Sequence, residues 1–205
     1  MSTRRLHVAP TKTNLLRLRR QVAFLEEGHT LLERKRDLLT RLVFERLRQY
    51  RRLRESAHAA LKTAYHSLAM TQMRTGACAI RQVALGLKPA LEVTVLPRLS
   101  LGVEYPAVDI RRLPMEPIGL LGTDASFDTT RDSLAEAALK LARLGEVETA
   151  LGRLLIEQRK AQKRVNALKY NVIPRYIETI RVIQGELEEE ERNTLFQLKV
   201  LRATS

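Results

Sequence analysis

The chain has no tryptophan, a single cysteine and few aromatic residues of any kind, four Phe and five Tyr making 4% of its length. A compact globular core normally uses more of them, because each buries a large apolar area. Cys78 alone cannot form an intrachain disulfide, which fits a reducing cytosol. No apolar run approaches the roughly 18 residues that a bilayer span requires. The opening residues Met1 to His7 carry positive charge with no apolar segment behind them, so they do not read as a secretory signal. Disorder is excluded in its turn, because 44% of residues are apolar and fall in a regular pattern. What the chain has in abundance is Leu, Arg, Ala, Glu and Lys, together 110 of 205 residues. That bias belongs to long helices and coiled coils. The expectation is a soluble, mostly helical cytosolic protein.

The formal net charge is +13, and it is unevenly placed. Residues 1–75 hold 17 Lys and Arg against 6 Asp and Glu, whereas the remaining 130 hold 19 against 17. A basic half suits nucleic acid, an anionic membrane or an acidic protein partner, and charge alone does not choose among them.

Proline and glycine divide the chain into three parts: 1–75, 76–130 and 131–205. From Thr11 to Thr75 there is no proline and one glycine, Gly28. Five of the seven prolines and five of the nine glycines fall between Gly76 and Thr130. After Arg131 only Pro174 interrupts. Both residue types break helices, so the order reads long helix, irregular insert, long helix.

The first part carries a heptad seam. Alternating steps of three and four run through Leu15, Leu18, Val22, Leu25, His29, Leu32, Arg36, Leu39, Val43, Arg46, Tyr50, Leu53, Ala57, Ala60 and Ala64. All but His29, Arg36 and Arg46 are apolar or Tyr. Such a stripe must meet another helix. Additional leucines at 16, 31, 38, 42 and 47 widen it and point to a second covered surface. About 60 residues would span roughly 90 Å, which predicts a protruding rod. In the last part Ser133 and Glu136 form a candidate capping box. Leu134, Ala137, Leu141, Leu144, Leu151 and Leu155 then keep heptad spacing. Beyond Val165 and Leu168 the phase slips, and Ile173, Ile177, Ile180, Ile183 and Leu187 continue the seam. Pro174 predicts a kink or local unwinding there.

The two helices are expected to pair antiparallel, giving an all-α fold, a long two-helix coiled coil with a small insert at the turn; a homodimer through the first helix alone is the alternative. A register bringing Arg17, Arg19 and Arg20 to Glu188–Glu191, Glu26 and Glu27 to Arg181, and Arg34 and Arg36 to Glu178 would match the charges. In the insert, Leu91, Val93 and Val95 alternate with polar residues, and Val103-Glu-Tyr105 resumes beyond Pro97-Arg-Leu-Ser-Leu-Gly102, which reads as a short hairpin. Two strands alone are marginal in water, so the hairpin should lean on a helix. Residues 78–87 predict a short helix ended by Gly86 and Pro89.

No catalytic chemistry can be assembled. None of the glycines is followed by Lys-Ser or Lys-Thr, and Gly119-Leu-Leu-Gly122 is a turn candidate without the lysine. There is no cysteine pair, and no two histidines stand four apart with a carboxylate between, so zinc is not expected. His58 and His66 are too far apart to share a ligand. The run Glu186 to Glu191 reads as a solvated face, because neighbouring glutamates on a helix point in different directions. No catalytic residue, cofactor or metal is assigned. Arg46, Arg48, Arg51, Arg52 and Arg54 form a dense basic patch. No aromatic residues are interleaved with it for base stacking, and an acidic protein groove fits it equally well.

Three stretches carry a family resemblance. Near the amino end stand Ala9-Pro-Thr-Lys-Thr-Asn-Leu-Leu-Arg-Leu-Arg-Arg-Gln21 and Gly28-His-Thr-Leu-Leu-Glu-Arg-Lys-Arg-Asp-Leu-Leu39. Near the carboxyl end stand Lys163-Arg-Val-Asn-Ala-Leu-Lys-Tyr170, Ile173-Pro-Arg-Tyr-Ile-Glu-Thr-Ile180 and Leu187-Glu-Glu-Glu-Glu-Arg192. The combination resembles the D subunit of V-type and A-type ATP synthases, the central rotor shaft, over essentially the whole chain. The Arg-Val-Asn-Ala-Leu element with a following Ile-Pro is its specific part; Lys169 departs from the acidic residue expected there. The resemblance implies a non-catalytic, prokaryotic-type component coupling ATP hydrolysis or synthesis to ion translocation. It implies that both terminal ends enter a head of catalytic and regulatory A and B subunits, and that the small F subunit of the central stalk binds the side of the coil. The insert would face an adaptor on the proteolipid ring. On this reading Arg46, Arg48, Arg51 and Arg52 contact the head, and there is no nucleic-acid partner. The chain would sit peripherally on the cytoplasmic side of the membrane without inserting into it.

Overall fold

The computed structural model describes residues 6–116 and 123–204. Pro117 and the Gly119–Gly122 turn lie outside the described residues. In chain order the elements are helix α1 (Lys12–Thr75), helix α2 (Ala77–Gly86), strands β1 (Leu91–Ser100) and β2 (Val103–Arg112), helix α3 (Ala125–Ala167), a π-helical turn (Leu168–Val172) and helix α4 (Ile173–Thr204). Two long helical stretches flank a short helix and a hairpin, as the sequence predicts. No helix is long and apolar enough to cross a membrane among the described residues.

Local chemistry sets the helix ends. The Asn14 N–H donates to the Thr11 hydroxyl at 3.2 Å, satisfying one of the donors that the first turn of α1 leaves open. At the other end Gly76 takes a φ of 81° that a Cβ would disfavour, and its N–H still reaches the Gln72 carbonyl at 3.0 Å. The start of α3 differs from the Ser133–Glu136 capping box. Asp124 does the capping: its carboxylate accepts from the Ala125 N–H at 2.7 Å and its carbonyl from the Phe127 N–H at 2.9 Å. Ser133 lies inside the helix, where its hydroxyl donates to the Thr130 carbonyl, and Glu136 pairs with Lys140 one turn on. Both residue types cap helices, but Asp124 comes first and nothing between it and Ser133 stops the helix.

The chain forms two compact units, one of Met1–Leu38 with Gln158–Ser205, the other of Leu39–Glu157. In the first, the beginning of α1 runs antiparallel to α4. Leu18, Ala161, Val165 and Ile183 are buried, with Leu15, Val22, Leu25, Leu32, Leu168, Ile173, Ile180 and Leu187 half-buried beside them. Among the seam residues expected in this unit, Ile177 is exposed, at 42%, with Tyr176 turned further in. The charge register differs as well. Glu191 is held by Lys12 at 2.7 Å, so the acidic run meets the very start of α1 and not Arg17–Arg20. Exposed ion pairs are worth about 0–1 kcal/mol each, too little to set a register against a buried apolar seam.

In the second unit the rest of α1 runs antiparallel to α3. Its seam is rich in alanine: Ala57 and Ala64 on α1, and Ala135, Ala137 and Ala150 on α3, are buried with Leu39, Val147, Leu151 and Leu154. Small residues let helix backbones approach; Leu134 and Leu141, expected on the seam, stand about 40% exposed. A polar clasp closes this pair near the insert. The Thr71 and Thr130 hydroxyls are 2.8 Å apart, and Thr71 Oγ1 also lies 3.0 Å from the Ser126 carbonyl and 3.1 Å from that of Ser67. Thr71 is 1% exposed, so this bonding is what makes its burial tolerable.

The hairpin is longer than its alternating residues suggest. Leu91 pairs with Arg112 and the ladder continues to Ser100 and Val103, leaving only Leu101 and Gly102 in the turn. Both have positive φ, 51° and 76°, the requirement of a two-residue hairpin loop. Pro97, expected to break the strand, lies directly across from Pro106. Counting from the Ser100–Val103 pair that closes the loop, this pair falls at a position exchanging no backbone hydrogen bonds. Two residues without an N–H therefore sit where none is needed.

Two outcomes test this packing. Leu39, fully buried, should cost about 2–5 kcal/mol when truncated to alanine. Leu31, 64% exposed on the same helix, should cost less than about 0.5 kcal/mol; thermal or urea unfolding followed by circular dichroism separates them. The second concerns acid. The Arg74 guanidinium, 3.0 Å away, and the Ala125 N–H hold the Asp124 carboxyl below its ordinary value, and Lys12 does the same for Glu191. Groups lowered in the folded state stabilise it above their unfolded pKa, near 4, and that contribution fades as pH falls through the lowered folded value. Asp124→Asn and Glu191→Gln should flatten the dependence of the melting temperature on pH below about 4.

Candidate partner surfaces

The described residues bring no three His, Cys, Asp or Glu together in a metal-binding group. The features that stand out are surfaces, and the basic patch on α1 is the first. The structure divides it. Arg46 is half-buried, its guanidinium 5.8 Å from the centre of the Tyr105 ring on β2 and hydrogen-bonded to Gln49 at 2.9 Å. Arg48, Arg51, Arg52 and Arg54 are exposed. Arg46 is thus a fastening of the hairpin, and the outward patch consists of its neighbours. Position on the helix explains the difference: Arg46 occupies a seam position, the others do not.

Tyr105, which sequence reasoning did not single out, is 7% exposed and Val103 4%, while Glu104 between them faces out. That alternation marks the inner face of β2 and was readable from the apolar residues at 103 and 105. Arg153 on α3 donates to the Glu104 carbonyl at 2.8 Å, and Arg112 pairs with Asp132 on the same helix at 2.7 Å. From Asp132 to Arg153 the helix climbs about 32 Å. From Arg112 back to Glu104 the strand covers about 27 Å. The near match lays β2 along α3. β1 turns outward, with Val95, Leu96 and Leu99 each more than half exposed.

Apolar surface is open elsewhere too. On α1, Phe24, Leu31 and Leu38 recur every seven residues just outside the seam, 74%, 64% and 47% exposed. With Leu16 they form a second stripe interspersed with exposed Arg17, Arg20, Arg34 and Lys35. Leu16, Leu31 and Leu38 were expected to face a further partner; Leu42 and Leu47 are half-buried. On α4 every described side chain from Glu188 to Ala203 is exposed, including Leu195 and Phe196. Between α2 and the long helices of the second unit lies an apolar cavity of about 380 Å³, lined by Leu68, Ile80, Val83, Leu87, Phe127 and Leu134 among others. Lys88 and Arg131 also line it, and both reach Glu116, Lys88 through its carboxylate at 2.7 Å and Arg131 through its carbonyl.

These features define a class: a mostly helical chain of two long helical stretches joined through a small insert, with basic and apolar groups mixed on its exposed faces. The chain belongs to the ATP synthase D subunit family, whose profile matches residues 14–203. Similar curated proteins include the A-type ATP synthase D subunit of Pyrococcus furiosus, 33% identical over 97% of this chain and 94% of the relative. The V-type ATP synthase D subunit of Thermotoga neapolitana is 34% identical over 96% of this chain and 98% of its own length. The A-type D subunit of Methanosarcina mazei is 33% identical over 96% of each.

The fastening of the hairpin is open to test. Tyr105→Ala should release it from α1 and α3 while leaving helical content within a few per cent. Proteolysis near Leu101 should quicken, and near-ultraviolet dichroism from tyrosine should fall.

Proposed function

We propose that the chain is the central rotor shaft of a V/A-type ATP synthase, carrying torque between a catalytic head and an ion-translocating ring. Membership of the D subunit family carries this reading and makes the chain a component of such a complex. Its chemistry suits the task. A torque-bearing part must resist bending, and two helices locked along an apolar seam do so better than one. Head subunits that repack around a turning shaft need contacts that slide. Exposed arginines make long-range, weakly directional contacts with acidic loops, whereas deep pockets would trap the shaft.

On this reading the paired terminal helices enter a head of A and B subunits, and Arg48, Arg51 and Arg52 meet its acidic loops. Arg46, already engaged with Tyr105, contributes to that contact only by holding the hairpin. The F subunit lies along the side of the coil. The insert, with its apolar cavity, faces the adaptor on the proteolipid ring. The chain works as a peripheral, non-catalytic member on the cytoplasmic side of the membrane, and catalysis resides in the head. The matched family and relatives lend nothing to a nucleic-acid role.

Two measurements test the proposal. A tagged chain expressed in its own host should co-purify with ATPase head subunits, and their absence overturns the assignment. In the assembled complex, replacing Arg48, Arg51 and Arg52 together with glutamine should lower coupled turnover about fivefold, the effect of roughly 1 kcal/mol of lost contact. The isolated variant should melt as the parent does. Unchanged coupling would remove these arginines from the head interface.

A further inference from the structure

Between α3 and α4 the backbone leaves the α-helical pattern for one π turn, Leu168–Val172, in which the Ile173 N–H bonds to the Leu168 carbonyl five residues back. The next residue, Pro174, has no N–H to offer the Tyr170 carbonyl, and its ring would crowd that carbonyl in a regular helix. A widened turn just ahead of the proline relieves both problems. The seam changes phase at the same place. Seven-residue steps from Val165 arrive at Val172, Thr179 and Glu186. Thr179 is 3% exposed, its hydroxyl accepting from the Leu6 N–H. The large aliphatic residues that recur at this spacing are Ile173, Ile180 and Leu187, each half-buried and one place later. The same steps from Leu168 arrive at Arg175 and Val182, both half-buried like Tyr176, whereas the fully buried large side chain is Ile183, 2% exposed and one place after Val182. A π turn accommodates one more residue than an α turn, so it absorbs a one-residue excess in place and returns the following residues to the seam. None of its side chains is fully buried, Leu168 and Val172 being half-buried, and Lys169 lies out over the Tyr170 ring, 5.7 Å from its centre.

We infer that this turn is a single-residue insertion pinned by Pro174, and that it acts as a compliant joint in the α3–α4 strand of the helix pair. The Ile173 N–H has two acceptors within small movements, the Leu168 carbonyl in the π arrangement and the Lys169 carbonyl in the α arrangement. Exchange between them lets the helix wind and unwind locally while the seam residues on either side stay in place. Pro174 blocks the same exchange one step further along, which confines it to residues 168–173. The joint is a property of this chain alone and does not depend on its role in an ATP synthase.

Amide hydrogen exchange and thermal unfolding of the full-length chain decide the matter, with two deletion variants. In the parent, amides at 169–173 should exchange at least about tenfold faster than those at 160–166, which lie in the adjacent regular helix. Deleting Lys169 closes the excess and leaves both seams in phase. It should keep or raise the melting temperature and bring exchange at 170–173 down to the level of α3. Deleting Arg159, also exposed but inside regular helix, throws Ala161 and Val165 off the seam and should lower the melting temperature by several degrees. Equal losses from the two deletions would overturn the insertion. Parent exchange at 169–173 as slow as in α3 would overturn the compliance.

Discussion

The structure depends on one constraint: a long helix with an apolar stripe must bury that stripe along its length, and here the other long helical stretch of the same chain does so. Every other feature is arranged around this pairing. Thr11 and Gly76 set the limits of α1, and Asp124 starts its companion where the pairing in the second unit begins. The hairpin and α2 rest on the paired helices and bury little themselves; α2 has no buried residue at all. Side-chain size then tunes the pairing. Alanine dominates the seam of the second unit, and larger Leu, Val and Ile that of the first.

Much of this was legible because helix breakers and heptads are local signals. The absence of proline from 11 to 75 gave the limits of α1, and every position of its heptad series proves buried or half-buried. What was misread required knowledge of geometry beyond composition. Pro97 looked like the end of a strand until its pairing with Pro106 placed both at positions without backbone bonds. Ser133 looked like a cap because it precedes an apolar series, while Asp124 had already started the helix. In the charge register, Glu191 of the acidic run is taken by Lys12, and solvent weakens such exposed pairs, so they do not decide alignment against an apolar seam. The phase slip after Leu168 was visible as spacing. Pro174 marked the place for a kink or local unwinding, and the π turn just ahead of it is such an unwinding.

The surfaces were legible in part. Arginine density marked a patch, but only the fold separates Arg46, spent on Tyr105, from the arginines that face outward. The extra leucines of α1 marked a second stripe, and the structure keeps three of them exposed while drawing Leu42 and Leu47 inward. Basic and apolar groups are mixed on the same faces. Such a mixture lets a partner gain from desolvation without a deep pocket and from charge without a fixed pairing geometry.

The ends of the two long helices are not flush. α1 begins at Lys12, where it grips Glu191, and the residues before it turn back so that the Leu6 N–H meets the Thr179 hydroxyl at 3.2 Å. Along the last stretch of α4 the side chains of Leu195, Phe196 and Leu198 are bare to water. An isolated helix of about a dozen residues is at the margin of what water tolerates. Any surface laid over these bare side chains would therefore add directly to the stability of the tip.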